Sequence, residues 1–359
     1  MTTDDVLTFS DGCAGRIRLD RAKALHSLNL NMVQAMTRAL LDWREDDDVR
    51  IVMIDHASGR GFCAGGDVVT IARDVAEGGA GAGQVGHDFF FEEYRLNHLM
   101  YTYPKPGVVF MDGIVMGGGV GIACPCRYRV VTERTVFAMP ETTIGLFPDV
   151  GGGRYLSRLR GRVAQYLALT SARIDGADCI ALGLSNFYIP SDRLEAVKAQ
   201  ICATPEKTES ILAGAAEAPP PAKIAAQIPD IDRLFASDEL EGIIAALDAD
   251  GGEWATTARA ALGGRSPIAC KVSLRMLVES PRQLHFVDEM RMEFAIMIRA
   301  YRSHDFAEGV RALLIDKTGD PRWNPPTPAE VTPAMVDAYF APLPADQAWT
   351  PLPPTTRRS

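Results

Sequence analysis

Ile51-Val-Met-Ile54 leads through a polar turn into Gly59-Arg60-Gly61-Phe62-Cys63-Ala64-Gly65-Gly66-Asp67-Val68. A short apolar strand, a glycine pair and the start of a helix follow one another, with helical spacing continuing over Val68–Ala76. The same order recurs downstream. Val108–Met111 reads as a strand, Asp112-Gly113 as a turn, and Met116-Gly117-Gly118-Gly119-Val120-Gly121-Ile122-Ala123 as the start of a helix. Gly15–Leu19 and Arg129–Val131 add strands. Leu30–Trp43 carries Met32, Val33, Met36, Leu40 and Trp43 at helical spacing, and Asp88–Tyr101 reads as a further helix. Strands that alternate with helices predict an α/β fold.

The pattern changes along the chain. Beyond about residue 192 the glycine turns thin out and helical periodicity dominates, so the chain divides into a core over 1–192 and a helical C-terminal region over 193–359. Phe286–Arg299 is strongly amphipathic, and Phe306–Ile315 reads as another helix. The apolar face of Phe286–Arg299 suits either the core or a second copy of the chain, which leaves a homo-oligomer open. Gly78–Gly83 reads as a flexible surface loop, Ala218–Pro221 as a linker, and the proline-rich tail after Leu343 is expected to pack poorly.

Of 359 residues, 47% are hydrophobic, enough for one large core or two modest ones, and the net charge is −9. Acidic and basic residues are mixed, and no basic stripe suits a phosphate backbone, so nucleic acid is not an expected partner. Seven scattered cysteines fit a reducing compartment better than a disulfide framework. Cys124-Pro-Cys126 lacks a second Cys/His pair at metal-site spacing, so no metal is expected. Met1-Thr-Thr-Asp-Asp has neither a basic segment nor an apolar run, and no stretch has the length of a membrane span. The expected location is the cytoplasm.

Three segments can carry chemistry. The Gly65-Gly66 pair before a helix leaves early N–H groups free for a ligand, with Asp67 as a helix cap; taken alone, a tight strand-to-helix turn is the commoner account. The glycines from Gly117 to Gly121 each cost a helix about 1 kcal/mol against alanine. Something must approach closely there, a neighbouring helix or a ligand oxygen. The second turn has neither the spacing of a dinucleotide fingerprint nor the Lys-Ser/Thr of a P-loop. Two such turns can aim two N–H donors at one oxyanion. The third segment is Phe137-Ala-Met-Pro140-Glu141-Thr-Thr-Ile-Gly145-Leu-Phe-Pro148-Asp149-Val-Gly151-Gly-Gly153. Two carboxylates stand among apolar residues. Pro140 starts a short helix, and Pro148 with three glycines leaves Asp149 on irregular backbone. Apolar surroundings raise carboxylate pKa values, as general acid–base work requires. Simple cap and turn roles for Glu141 and Asp149 remain the alternative.

In order and spacing these segments resemble the crotonase, or enoyl-CoA hydratase/isomerase, superfamily over roughly residues 15–340. The Glu141–Gly153 segment, Phe89–Asn97, Asp305–Lys317 and Pro321-Arg-Trp323 are similar to its 3-hydroxyisobutyryl-CoA hydrolase branch. The resemblance implies a crotonase-type spiral of ββα units with a helical C-terminal region. It implies an oxyanion hole from the N–H groups of Gly66 and Gly118, each donor worth about 2.7–4 kcal/mol to the chemical step. It places Lys23, Ala24, Leu25, Gly66, Asp67, Val68 and Val69 along the CoA arm and Glu93 at the acyl end. The branch commonly has Asn where His26 stands. Hydratases of the superfamily need a Glu where Gly121 stands; the hydrolases carry an Asp eight residues beyond the first carboxylate, here Asp149.

The implied reaction is hydrolysis of 3-hydroxyisobutyryl-CoA, or a close short-chain β-hydroxyacyl-CoA, as in valine catabolism. Glu141 would attack the carbonyl or serve as base toward water, with Asp149 handling a proton. CoA belongs to the substrate, so no cofactor is implied. An enoyl-CoA hydratase or isomerase and a non-catalytic acyl-CoA-binding protein are the alternatives. One methyl separates the 3-hydroxyisobutyryl from the 3-hydroxypropionyl group, worth about 1–3 kcal/mol of discrimination.

Overall fold

The computed structural model describes residues 5–79 and 81–353. Ala80 of the glycine loop, the first four residues behind the leader-free reading and the last six of the proline-rich tail lie outside the described residues.

The first sheet has six strands in the order β1 (Val6–Asp11), β2 (Ala14–Leu19), β3 (Ile51–His56), β5 (Gly107–Met111), β7 (Tyr128–Val131), β10 (Phe187–Tyr188). The second has four, β4 (Gly61–Cys63), β6 (Ile114–Met116), β8 (Val136–Ala138) and β9 (Ile174–Asp175). The β1–β2 hairpin and the β8–β9 pair are antiparallel; the other neighbours are parallel.

The alternation between sheets is the spiral. Each repeat sends one strand to the first sheet, turns sharply, sends a short strand to the second, and closes with a helix. Helix α1 (Leu30–Glu45) joins β2 to β3. After β3–β4 come α2 (Val68–Glu77) and the long α3 (Gln84–Tyr101); after β5–β6 comes α4 (Gly118–Ala123). After β7–β8 come a 3-10 turn at Glu141–Ile144 and α5 (Gly152–Leu156). The short strands of the second sheet have too few residues for an alternating pattern, which is why the sequence hides them.

Ile51–Ile54 shows why an unbroken apolar run belongs here. Both faces of a parallel sheet are covered, so both sets of alternate side chains are buried. Val52 and Ile54 face the main core, while Ile51 and Met53 pack with Val108 and Phe110 against Leu194, Val197 and Ile201. The first long helix past residue 192, Leu194–Ala203, thus covers the outer face of the first sheet.

The C-terminal helices are built onto the spiral. Helix Phe286–Ala300 lays its apolar face on α3, with Phe294 edge-on to Phe91 and Tyr94, so the face left open by the sequence is covered within the chain. Helix His304–Val310 packs on the Glu141–Ile144 turn so closely that a Cβ on Gly309 would lie 2.6 Å from the Ile144 Cα. It continues as a π-helical turn over Arg311–Ile315, splitting the single helix expected over 306–315.

One expectation is corrected. The segment after Leu343 does not pack poorly throughout. Trp349 is 2% exposed, its indole N–H donates to the Phe91 carbonyl at 3.1 Å, and its ring meets His98 edge-on. Arg95 donates to the Thr350 carbonyl at 3.0 Å. A large aromatic ring with a satisfied N–H outweighs the extended backbone that proline imposes. The tail therefore staples α3 from outside. Replacing Trp349 by alanine should cost about 3–5 kcal/mol of stability, measured by urea unfolding; a loss below about 1 kcal/mol would mean the tail does not brace α3.

Candidate active site

The two glycine turns meet. At the first, Gly65 has φ +106°; at the second, Gly117 has φ +49°. Both conformations are open to glycine and costly to other residues. The next residue at each turn, Gly66 or Gly118, comes close to its counterpart. A Cβ placed on Gly118 would lie 3.4 Å from the Gly66 nitrogen, which measures how near the two backbones come. Gly118 opens α4, where N–H groups have no helical partner, and Gly66 donates to no other backbone group among the described residues.

The first turn is held by the loop before α1. Leu28 donates to the Gly65 carbonyl at 2.7 Å, Asp67 to Leu28 at 2.8 Å, and Ala64 to Leu25 at 3.0 Å. Below that loop, His26 is fully buried: its Nδ1 accepts from the Arg21 N–H and its Nε2 faces the Ser58 carbonyl. Asp67 caps α2 through Thr70 and accepts a 2.8 Å bond from Arg21. The cap expected at Asp67 is present, and its carboxylate is engaged away from the cavity.

That cavity, about 470 Å³, is floored by Gly66 and Gly118 and walled by Glu93, Glu141 and Asp149. Its volume suits a small-molecule ligand. Leu25, Ile144, Arg173 and Leu314 also line it, Arg173 from a segment the sequence did not mark. The three carboxylates are 2%, 5% and 5% exposed. Neither oxygen of Glu141 has a protein hydrogen-bond partner, nor has Oε1 of Glu93, while Asp149 accepts a 2.9 Å bond from the Tyr94 hydroxyl. A Cβ on Gly118 would collide with Glu93 Oε1, and one on Gly117 would lie 3.1 Å from Glu141 Oε1. Both carboxylates therefore crowd the second glycine turn.

Burial sets the electrostatics. It holds Glu141 well above the usual carboxylate range, with repulsion from Asp149 adding to it. Burial does the same to Glu93, helped by the charges of Asp149 and Glu141. Asp149 is pushed up by burial to about 7, with the Tyr94 hydroxyl pulling the other way. Three acids in one apolar cavity cannot all ionise. Asp149, the one with a hydroxyl donor, loses its proton most readily.

Position 121 has no room for a side chain. A Cβ there would lie 2.6 Å from the Val150 Cβ and 2.8 Å from Asn97 Nδ2. Val150 has φ +55°, a strained conformation for a β-branched residue, costing about 1–3 kcal/mol. The strain lies directly beside Asp149.

The structure thus gathers Glu141, Asp149, Glu93, Gly66, Gly118, Leu25 and Val68 around one cavity. Ala24 is half-buried outside its lining, Lys23 is exposed, and Val69 is half-buried on α2. Sequence reasoning passed over Tyr94. It follows Glu93 inside an aromatic run, and a buried Tyr at helical spacing looks like core until its hydroxyl is seen on Asp149.

The family model described as enoyl-CoA hydratase/isomerase matches residues 14–340. The 3-hydroxyisobutyryl-CoA hydrolase, mitochondrial, of Xenopus tropicalis is 39% identical over 94% of this chain and 89% of its own length. Its namesake in Danio rerio is 38% identical over 94% and 90%. Among solved structures, a carnitinyl-CoA dehydratase from Mycobacterium thermoresistibile superposes with a TM-score of 0.90 at 41% identity, covering 96% of this chain and 98% of that one. An enoyl-CoA hydratase from Rhodobacter sphaeroides gives 0.89 at 38% identity over 96% and 99%. The cytoplasmic expectation is overturned, because these vertebrate relatives are mitochondrial enzymes. Reduced cysteines and mixed charge suit either compartment, so composition could not separate them. Motif order, cavity and relatives agree, and the chain belongs to the enoyl-CoA hydratase/isomerase family.

Proposed function

We propose that this protein hydrolyses the thioester of 3-hydroxyisobutyryl-CoA, or a close short-chain β-hydroxyacyl-CoA, to the free acid and CoA. The observation that carries the reading is the exchange of sites around α4. Glu141 and Asp149 share one cavity with Glu93, while position 121, where a hydratase needs its second Glu, is filled by Val150 and Asn97. The Xenopus tropicalis and Danio rerio relatives carry the hydrolase name, whereas the two similar solved structures are a dehydratase and a hydratase.

In this reading the thioester oxygen sits between the Gly66 and Gly118 N–H groups, which stabilise the charge that develops there. Glu141, with no protein donor on either oxygen, either attacks the carbonyl carbon and expels CoA, leaving a mixed anhydride that water then cleaves, or takes a proton from a water that attacks in its place. Asp149, poised near 7, takes up the proton of Glu141 or of water and returns one to the departing thiolate. Tyr94 holds Asp149 in place and favours its ionised form. Glu93 lies at the acyl end, within reach of a β-hydroxyl. Water and thioester enter; acid and thiol leave; the carboxyls end as they began.

Glu141→Gln and Asp149→Asn should each cut thiol release by roughly 10²–10⁴-fold while CoA binding persists, read with a thiol reagent and by calorimetry. Full activity in the Glu141 variant, or loss of crotonyl-CoA unsaturation without free thiol in the wild type, would overturn the hydrolase reading.

Protonation also ties the site to stability. A carboxyl raised from 3.8 to about 7 favours folding in its protonated form, so its contribution is fully present below 3.8 and lost as pH rises through about 7. For a fully buried group this amounts to at most about 4 kcal/mol. The unfolding midpoint of the wild type should fall as pH rises from roughly 4 to roughly 8, and that of Asp149→Asn should fall less. Parallel curves for the two proteins would show that Asp149 does not ionise over this range.

A further inference from the structure

Behind Asp149 lies a second pair of buried carboxylates that the reaction does not use. Glu293 and Glu289, one helical turn apart on helix Phe286–Ala300, are both 0% exposed. Neither forms an ion pair among the described residues. Instead Glu293 Oε2 accepts the Gly151 N–H at 2.7 Å, and its Oε1 accepts the Gly153 N–H at 3.2 Å. Glu289 accepts from the Ser280 hydroxyl at 2.6 Å. A Cβ on Gly153 would collide with Ser280 Oγ and Glu289 Oε1, so the three-glycine run lets the backbone close on this pair.

The turn so gripped starts at Asp149. Val150 and Gly151 are consecutive left-handed residues, φ +55° and +85°, and Gly152 donates back to the Asp149 carbonyl at 2.7 Å. Gly151 is left-handed and Gly152 begins the right-handed helix α5, and successive residues of opposite hand point their N–H groups to one side and form a concave anion site. Here the protein supplies the anion itself. Conformational strain such as that of Val150 persists only where its surroundings over-determine it, and the two bonds to Glu293 are long-range constraints on that stretch beside the Tyr94–Asp149 bond.

We propose that Glu293 is a positioning residue for the thioester reaction: it locks the Asp149–Gly153 turn and so aims the Asp149 carboxylate into the cavity. Helix Phe286–Ala300 then reaches the reacting centre through backbone, while Tyr94 holds the same aspartate through its side chain. This inference rests on the part given to Asp149 above.

The test is steady-state thiol release from 3-hydroxyisobutyryl-CoA by wild type, Asp149→Asn, Glu293→Gln, Glu293→Ala and the Asp149→Asn/Glu293→Gln double variant, with thermal unfolding of each. Displacing a reacting group by about 1 Å can cost on the order of 10²-fold in rate. Glu293→Ala should therefore lose at least about tenfold in kcat with KM within about twofold. Glu293→Gln, which keeps the size and one acceptor oxygen, should lose less and carries the test if the alanine variant does not fold. In the double variant the Glu293 change should add nothing to the Asp149 loss. Folded Glu293 variants with wild-type kcat, or losses that multiply in the double variant, would overturn the positioning role. If Asp149→Asn itself keeps full activity, the reading of Asp149 fails; if it loses activity while the Glu293 variants do not, the positioning claim alone fails.

Discussion

The close approach of two backbone turns is the constraint on which the rest depends. The proposed oxyanion hole asks Gly66 and Gly118 to aim N–H groups at one point, which side chains on them or on Gly65 and Gly117 would obstruct or strain. The spiral brings them together. β4 and β6 are neighbours in the second sheet, so the turns that follow them are neighbours too. A donor pair fixed in backbone needs no reorganisation during reaction, and in a water-poor cavity it acts at low dielectric, where each bond counts for more. The same cavity walls raise the carboxyls. In the proposed reaction, oxyanion stabilisation and proton exchange near neutrality thus share one physical cause, burial in an apolar cavity.

The second constraint is steric. A fold that can host two reactions chooses between them by which carboxylates fit. At position 121 the space beside α4 belongs to Val150 and Asn97, and Val150 is there because the chain turns left-handed after Asp149. Gain of a carboxylate at 149 and loss of one at 121 are therefore two aspects of a single turn. The similar solved structures, a dehydratase and a hydratase, share this fold, so in the proposed reaction it is the residues at these two positions that bear on the chemistry.

Much of this was legible in the residues. Ile51–Ile54, Val108–Met111 and the long helices declare themselves by apolar run and period, and Glu141 and Asp149 stand out as charges among Gly, Pro and aromatic neighbours. What stayed hidden has a common reason. Strands β4, β6 and β8 have three residues each, too short for any period. Tyr94 and Glu293 act across long sequence separations, through a hydroxyl and a carboxylate whose partners lie 55 and 142 residues away. Trp349 was lost in a proline-rich tail whose composition speaks for the backbone and says nothing of one anchored ring. Local pattern reports local structure; contacts closed by tertiary folding leave no period to read.

The central claim is geometric, and a structure of the Asp149→Asn protein with uncleaved 3-hydroxyisobutyryl-CoA tests it most directly. The account predicts the thioester oxygen at about 2.7–3.1 Å from both the Gly66 and Gly118 nitrogens, with Glu141 facing the carbonyl carbon and Glu93 facing the β-hydroxyl. A thioester oxygen bound to any other pair of donors, or an acyl group lying outside the cavity between Glu93 and Glu141, would contradict it.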